Sequence, residues 1–433
     1  MDVILCASKV SGIIQAPASK SVMQRACAAA LLRNGTTIIY NYGICNDDKV
    51  ALEIIQQLGA TVAYIDDRTL QITSEGWPKV VAYTHINCGE SGLSLRMFTA
   101  IAALANEEVI MEGHGSLLKR PIYFLEKILP QLGVSVDPNT GLLPIHIKGP
   151  LAPKDLLVDG GVTSQLLTGL LFAYSVAAKE EVVISVDNLK SKPYIDLTLK
   201  VMEDFGMNIP VQSNYESFSF KSKANQCDPK PNLKYTVEGD WSNAAFFMVA
   251  GAIAGSITIK GLDAFTTQAD KKILEALQDC GCRLSIQMDQ IEVTKHHLKA
   301  FHFDATDCPD LFPPLVALAA HCKGTSVIEG VHRLEHKESN RAEALQAEFE
   351  KMGVQISIQD DKMIIVKQAE MEQAIILDGH NDHRILMACA IASLTTKAPV
   401  TIKGIEAVNK SYPDFFKDLE QIKNSNGEAS NSK

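Results

Sequence analysis

The chain is 433 residues long, 46% hydrophobic and 21% charged, with a formal net charge of −10; this is ordinary globular composition, with length for two or three domains. The acidic balance, in which no Lys/Arg run exceeds two residues, gives no footing for nucleic acid. No apolar run approaches the ~20 residues needed to span a bilayer, and the start M-D-V-I-L-C lacks the basic region and cleavage site of a targeting peptide, so a cytoplasmic protein without membrane partners is expected.

In chain order, the first informative stretch is Ala16 to Leu32, A-P-A-S-K-S-V-M-Q-R-A-C-A-A-A-L-L. Pro17 and Ser19 read as a helix entry, and the small residues from Ala26 onward as the body of a fully buried helix. Ser21 and Arg25, four apart, share a face. Lys20 sits at the open end, where unpaired N–H groups and the helix dipole already favour an anion. The dipole alone would prefer acidic residues there, so the two cations either snorkel into solvent or hold a phosphate or carboxylate.

Further on, glycines that close charged amphipathic helices fall at Gly59, Gly133, Gly206, Gly281 and Gly353, a repeat of about 73 residues. A sixth such helix, Pro413 to Ile422, ends the series without the glycine. Before each comes a small-residue apolar helix: Ser21–Leu32, Ser91–Ala105, Thr163–Ala178, Ser242–Ala254, Pro313–His321 and Asp382–Thr395. β-Branched strands follow, as at 36–40, 182–186, 256–260 and 400–403. After the glycine, alternating segments such as 282–294 and 354–366 read as hairpins. Helix, strand, helix, hairpin is a βαβαββ unit cut at an arbitrary point, and six of them form two lobes of three, with apolar helices inside and amphipathic ones outside. Lys221 to Asn232 reads as a loop near the lobe junction, and the tail from Asn424 as disordered. The ten cysteines are scattered without a C-x-x-C, mostly in apolar runs, as buried reduced thiols are.

If the apolar helices of a lobe run parallel, the polar residues at their starts form the candidate site. These are Lys20, Ser21 and Arg25; Gly89, Gly92 and Arg96; Thr163, Ser164 and Gln165; Asp310; and Asp382, His383 and Arg384. Neighbouring loops add Lys119, Arg120, Ser191, Lys192, Lys337, Glu338, Arg341 and Lys410. Singly, each is a cap or a solvated charge. Cations at equivalent repeat positions together suit carboxylate and phosphate recognition. Glu90, Asp310 and Glu338 are the acids placed among them for proton transfer. The pattern His380-x-x-His383 with Asp382 suggests a metal site, but the charge of Arg384 opposes a nearby cation.

With these residues assembled, the chain resembles the EPSP synthases (3-phosphoshikimate 1-carboxyvinyltransferases) of the enolpyruvyl transferase family from Pro17 to Phe416. The motifs are S-K-S-x-x-x-R (19–25), S-G-L-S-L-R (91–96), K-R-P (119–121), T-S-Q (163–165), S-K-P-Y-I-D (191–196), E-G-D-W-S (238–242), P-D-L-F-P (309–313), H-K-E-S-N-R (336–341), N-D-H-R (381–384) and K-S-Y-P-D (410–414). The resemblance implies an α/β two-lobed fold of six βαβαββ units, three per lobe, an inverted α/β prism. One lobe would be residues 1–15 with 238–424 and the other 16–237, with crossings near 14–18 and 236–240, and 425–433 a disordered tail. It implies a monomer that joins phosphoenolpyruvate to the 5-hydroxyl of shikimate 3-phosphate, releases phosphate, needs no metal or organic cofactor, and closes its lobes on the two anions.

Carried over by position, Lys20, Ser21, Arg25, Thr163, Ser164, Gln165, Ser191, Asp310 and Lys337 would hold shikimate 3-phosphate. Lys20, Gly92, Arg120, Gln165, Arg341, Arg384 and Lys410 would hold phosphoenolpyruvate. Asp310 would take the hydroxyl proton, and Glu338 with Lys20 would serve the methylene carbon. Four positions depart from the pattern: Glu90 for Asn, expected to pair with a cation; Thr163 for Ser; Arg333 for Asn, to which no role is carried over; and Asn340 for Asp. The related transferase acting on UDP-N-acetylglucosamine is the alternative, disfavoured by the S-K-P-Y-I-D and K-E-S-N-R segments and by the absence of a loop cysteine among arginines. A non-catalytic repeat scaffold leaves Asp310, Glu338 and Lys20 without a reason to coexist.

Overall fold

Twelve α-helices alternate along the described chain between two kinds. The odd-numbered set is α1 (Lys20–Leu31), α3 (Gly92–Ala102), α5 (Ser164–Ala177), α7 (Trp241–Ala254), α9 (Phe312–Ala319) and α11 (His383–Ser393). These helices are buried almost all round, because Ala, Gly, Ser and Leu on every face let them pack against one another. At the α3–α5 contact a Cβ on Gly169 would stand 2.5 Å from Met97 O, so a glycine is required where the backbones approach. The even-numbered set is α2 (Asn46–Gln57), α4 (Tyr123–Ile128), α6 (Lys192–Asp204), α8 (Ile273–Asp279), α10 (Arg341–Lys351) and α12 (Phe415–Ile422); each buries one face only. Gly59, Gly133, Gly206, Gly281 and Gly353 all have φ between +66° and +97°, the left-handed position that stops a helix at its C-terminus, which is the physical content of the glycine repeat.

The computed structural model describes residues 1–137, 139–161, 163–221, 232–367 and 371–423. The loop read at Lys221–Asn232, apart from its end residues, and the tail from Asn424 lie outside the described residues. Two compact units are formed, Ala18–Glu238 and Met1–Pro17 with Gly239–Lys433.

Each unit holds three sheets built to one plan: a parallel pair, then an antiparallel hairpin. In the Ala18–Glu238 unit, Thr84–Asn87 runs parallel to Glu108–Glu112, which pairs antiparallel with Ile145–Lys148 and through it Ser135–Asp137. Its first sheet is completed from far along the chain, Asn232–Thr236 pairing parallel with Asn34–Tyr40. In the other unit the N-terminal strands complete two sheets: Val10–Gln15 runs parallel to Gly255–Lys260, and Asp2–Leu5 antiparallel to Val400–Lys403. The sheet with Asp2–Leu5 has three strands, because no hairpin follows α12 within the described chain.

One expected element differs in detail. The helix read as running to Gly133 stops at Ile128 and tightens into a 3-10 turn, Leu129–Leu132; Pro130, lacking an N–H, cannot continue the α-helical ladder. The helix closed by Gly281 starts at Ile273 and is preceded by a separate 3-10 turn, Ala269–Lys272.

Candidate active site

In the Ala18–Glu238 unit the starts of α1, α3 and α5 carry the expected polar residues, now with partners. Lys20 Nζ lies 3.0 Å from Asp47 Oδ2 in the first turn of α2. Arg25 is 1% exposed, and its hydrogen bonds go to neutral acceptors: Nε to Thr198 Oγ1 at 2.9 Å, Nη1 to Ser21 O at 2.8 Å and Nη2 to Tyr194 O at 3.3 Å. Burial without a counter-charge lowers its pKa to about 10, which prepares the site for an anion rather than for solvent. Snorkelling is therefore excluded for Arg25. Ser191 starts α6 at φ 56° and is buried; a non-glycine residue held in this conformation is strained, as functional loops often are.

The second cluster surrounds Gly92, the first residue of α3. Arg96 Nη1 donates to Gln165 Oε1 at 2.8 Å. A Cβ on Gly92 would lie 2.7 Å from Nη1 of both Arg96 and Arg120 and 3.7 Å from Gln165 Oε1. Two guanidinium groups and an amide thus converge on a helix start that a larger residue would fill. Thr163 caps α5 by accepting from Gln165 N–H at 3.1 Å, and Ser164 is buried beside it. Ser91 caps α3, and its hydroxyl, like that of Ser94, lies within hydrogen-bond distance of the buried Gln24 Oε1, tying α3 to α1. Sequence reasoning missed Gln24, since a polar residue on one turn of an apolar helix carries no mark of its partner. Glu90 Oε2 accepts from Ser116 N–H at 2.8 Å. A side chain at Gly115 would overlap the Glu90 carboxyl, so that glycine makes room for the contact, and Glu90 anchors the turn that ends at Arg120.

In the other unit Asp310, Glu338, Arg341, Asp382 and Arg384 form one network. Arg341, 1% exposed, bridges three carboxylates: Asp310 Oδ1 at 2.8 Å, Glu338 Oε2 at 2.6 Å and Asp382 Oδ2 at 2.8 Å. Asp310 also faces Lys337 Nζ at 3.2 Å and, through Oδ2, Arg384 Nη2 at 3.2 Å. Burial pushes the Asp310 carboxyl up, but Arg384, Lys337 and Arg341 together outweigh it and hold the carboxyl well below the usual range. Desolvation lowers Lys337, offset in part by Asp310. Lys410, buried, donates to Asn381 O at 2.7 Å. Asn340 caps α10 through Glu343 N–H, so the change from Asp keeps a capping residue.

Asp382, read from sequence as one residue of a helix start, is the innermost partner of Arg341 and caps α11 by accepting from Arg384 N–H at 2.9 Å. Its role had a local signal, an Asp two residues before an Arg at a helix start, but the Arg341 contact has none. His380, the outer residue of the H-x-x-H pattern, is engaged with Glu348 Oε1 at 2.8 Å, and among the described residues no group of three His, Cys, Asp or Glu side chains is placed to hold a metal ion.

Known proteins resemble this chain over nearly its whole length. The family model for EPSP synthase (3-phosphoshikimate 1-carboxyvinyltransferase) matches residues 6–419. A 3-phosphoshikimate 1-carboxyvinyltransferase of Clostridium novyi is 34% identical, covering 96% of each chain. Its counterpart from Thermococcus kodakarensis is 36% identical over 96% of this chain and 98% of the other. Among solved structures, EPSP synthase from Acinetobacter baumannii superposes with a TM-score of 0.79 at 24% identity over 98% of both chains. The enolpyruvyl transferase NikO from Streptomyces tendae gives 0.77 at 16% identity over 97% of both. These likenesses establish the two-lobed enolpyruvyl transferase fold, and the family-model match and sequence identities show that the chain belongs to the EPSP synthase family.

Proposed function

We propose that the chain transfers the enolpyruvyl group of phosphoenolpyruvate to the 5-hydroxyl of shikimate 3-phosphate, releasing phosphate, as a cytoplasmic monomer in aromatic amino acid (chorismate) biosynthesis. The observation that carries this reading is the Asp310 network. A carboxylate held ionised by Arg384, Lys337 and Arg341 stands 2.8 Å from the guanidinium that also carries Glu338. In the lobe as it stands these cations neutralise the protein's own acids. An incoming phosphate and carboxylate compete for them, and each cation drawn away makes Asp310 a stronger base.

In the proposed addition, Asp310 accepts the hydroxyl proton as that oxygen bonds to C2 of phosphoenolpyruvate, and Glu338 with Lys20 delivers a proton to C3. In the elimination the C2–O bond to phosphate breaks and C3 returns its proton. Lys20, Gly92, Arg120, Gln165, Arg341, Arg384 and Lys410 are the proposed phosphoenolpyruvate set, in which preorganised cations stabilise the leaving phosphate. Lys20, Ser21, Arg25, Thr163, Ser164, Gln165, Ser191, Asp310 and Lys337 are the proposed shikimate 3-phosphate set. The proposed lobes are 1–15 with 238–424, and 16–237.

Cys88 and Cys308 are fully buried, and desolvation raises both thiols above their ordinary value, so neither supports the UDP-N-acetylglucosamine reading. The test is phosphate release that requires phosphoenolpyruvate and shikimate 3-phosphate together. Release with UDP-N-acetylglucosamine instead, or with neither acceptor, refutes the proposal.

A further inference from the structure

Asp270 lies on the 3-10 turn before α8, outside every set named above. It is 2% exposed. Ser242, in the first turn of α7, donates its hydroxyl to Asp270 Oδ2, while Oδ1 is buried with no hydrogen-bond partner. A buried carboxyl with one oxygen unmet is costly and calls for a reason. The titratable and charged groups facing it come from three elements: Asp240 at the cap of α7, the Cys308 thiol and Asp310 at the turn before α9, and Arg384 at the start of α11. On its own turn, Lys271 points away, donating to Ala264 O and Thr266 O. Arg384 is therefore within electrostatic reach of two carboxylates, Asp310, which it contacts at 3.2 Å, and Asp270.

We propose that Asp270 is a positioning residue for the transferase: its buried carboxyl, anchored by Ser242, competes with Asp310 and with the incoming anion for the Arg384 guanidinium. The inference rests on the enolpyruvyl transfer reading. Burial, followed by the charge of Asp310, pushes the Asp270 carboxyl up to about 7, with Arg384 and the Ser242 hydrogen bond opposing. Below that pH the residue is neutral. Above it, a second buried negative charge draws on Arg384 and repels a multiply anionic substrate, so affinity for phosphoenolpyruvate falls as pH rises through neutrality.

The experiment is KM and kcat for phosphoenolpyruvate between pH 6 and pH 8.5 in three proteins: wild type, Asp270→Asn and Ser242→Ala. The titration of the substrate itself is common to all three and cancels on comparison. Asp270→Asn, permanently uncharged, is expected to lose a rise in KM of about fivefold or more that wild type shows across this range. Ser242→Ala removes a hydrogen bond that favours the ionised form, so the rise should move upward by about one pH unit. An Asp270→Asn profile that parallels wild type overturns the inference, as does a Ser242→Ala rise that stays in place or moves down. If Asp270→Asn does not fold, the shift in Ser242→Ala decides alone. Wild-type protein that releases no phosphate with the two substrates refutes the functional reading itself, a result distinct from an active wild type whose profile Asp270→Asn does not change.

Discussion

Replacing Arg341 by Met removes the one cation that touches three carboxylates, and the structure says which loss dominates. Asp310 keeps Lys337 and Arg384, each at 3.2 Å, and Glu338 is 17% exposed, so water takes up part of its loss. Asp382 is fully buried; it keeps hydrogen bonds from Ser339 Oγ at 3.1 Å and Arg384 N–H at 2.9 Å, and otherwise faces His383 Nδ1 at 3.9 Å. Stranding a buried charge in this way costs about 3–5 kcal/mol. Trp241 lies in the core of this unit, and Trp77 is the second of two tryptophans in the chain. In a Trp77→Phe background, urea unfolding followed by fluorescence therefore reads the unit of interest. The variant should unfold at markedly lower urea at pH 7, and adding Asp382→Asn should return most of the loss, because no buried charge is then left to compensate. The pH dependence has a fixed sign. The folded-state pKa of Asp310 is depressed, so its contribution is present above the unfolded value of about 3.9 and is lost as pH falls through the folded one. With one of three cations gone the variant has less to lose, and the gap to wild type should narrow on acidification. Equal stability at pH 7, or a double variant no better than the single, would refute the reasoning.

Three further outcomes are expected. Asp310→Asn should retain shikimate 3-phosphate binding by calorimetry while turnover falls about 100-fold or more, the worth of a general base; near-normal turnover removes Asp310 from that role. Gly92→Ala puts a Cβ 2.7 Å from the guanidinium ends of Arg96 and Arg120, which can swing aside, so melting should barely change while KM for phosphoenolpyruvate rises several-fold; an unchanged KM would detach Gly92 from the site. Gly255→Ala puts a Cβ 1.8 Å from Val10 O, a backbone atom that cannot yield without opening the Val10–Gln15 pairing. It should cost about 2 kcal/mol or more and expose the N-terminal strand to protease, and wild-type melting would show that the strand contributes little.

What was legible of the fold follows from local rules. Glycines at left-handed helix ends recur because each of the first five repeats must turn its outer helix into a hairpin, and a turn of that kind admits few other residues. Apolar helices with small residues on all faces are recognisable because only an interior position tolerates them. The register of Asn232–Thr236 on Asn34–Tyr40, and of Val10–Gln15 on Gly255–Lys260, was not legible from residue patterns. Such pairings join distant segments, and a strand edge carries no label for its partner. The break at Pro130 is marked by the proline alone, while the apolar period continues on either side of it and favours an unbroken helix.

The site divides along the same line. That cations gather at helix starts is written in composition and spacing, because an anion needs them there and the dipole gives no competing reason. Which acid each cation holds is a matter of a few ångströms across the fold. Lys20 meets Asp47 from the next helix, Arg341 meets Asp382 from an element 41 residues on, and Asp270 reaches the network from a 3-10 turn that no sequence pattern marks. These acids share a physical necessity. A chain of net charge −10 that concentrates cations for anionic substrates must neutralise them between turnovers, or the buried charges would destabilise the lobe. Asp47, Asp310, Glu338 and Asp382 meet that need, and binding then becomes an exchange of internal partners for external ones. In the proposed mechanism Asp310 gains basicity only once substrate has claimed its cations, which would tie proton abstraction to a filled site.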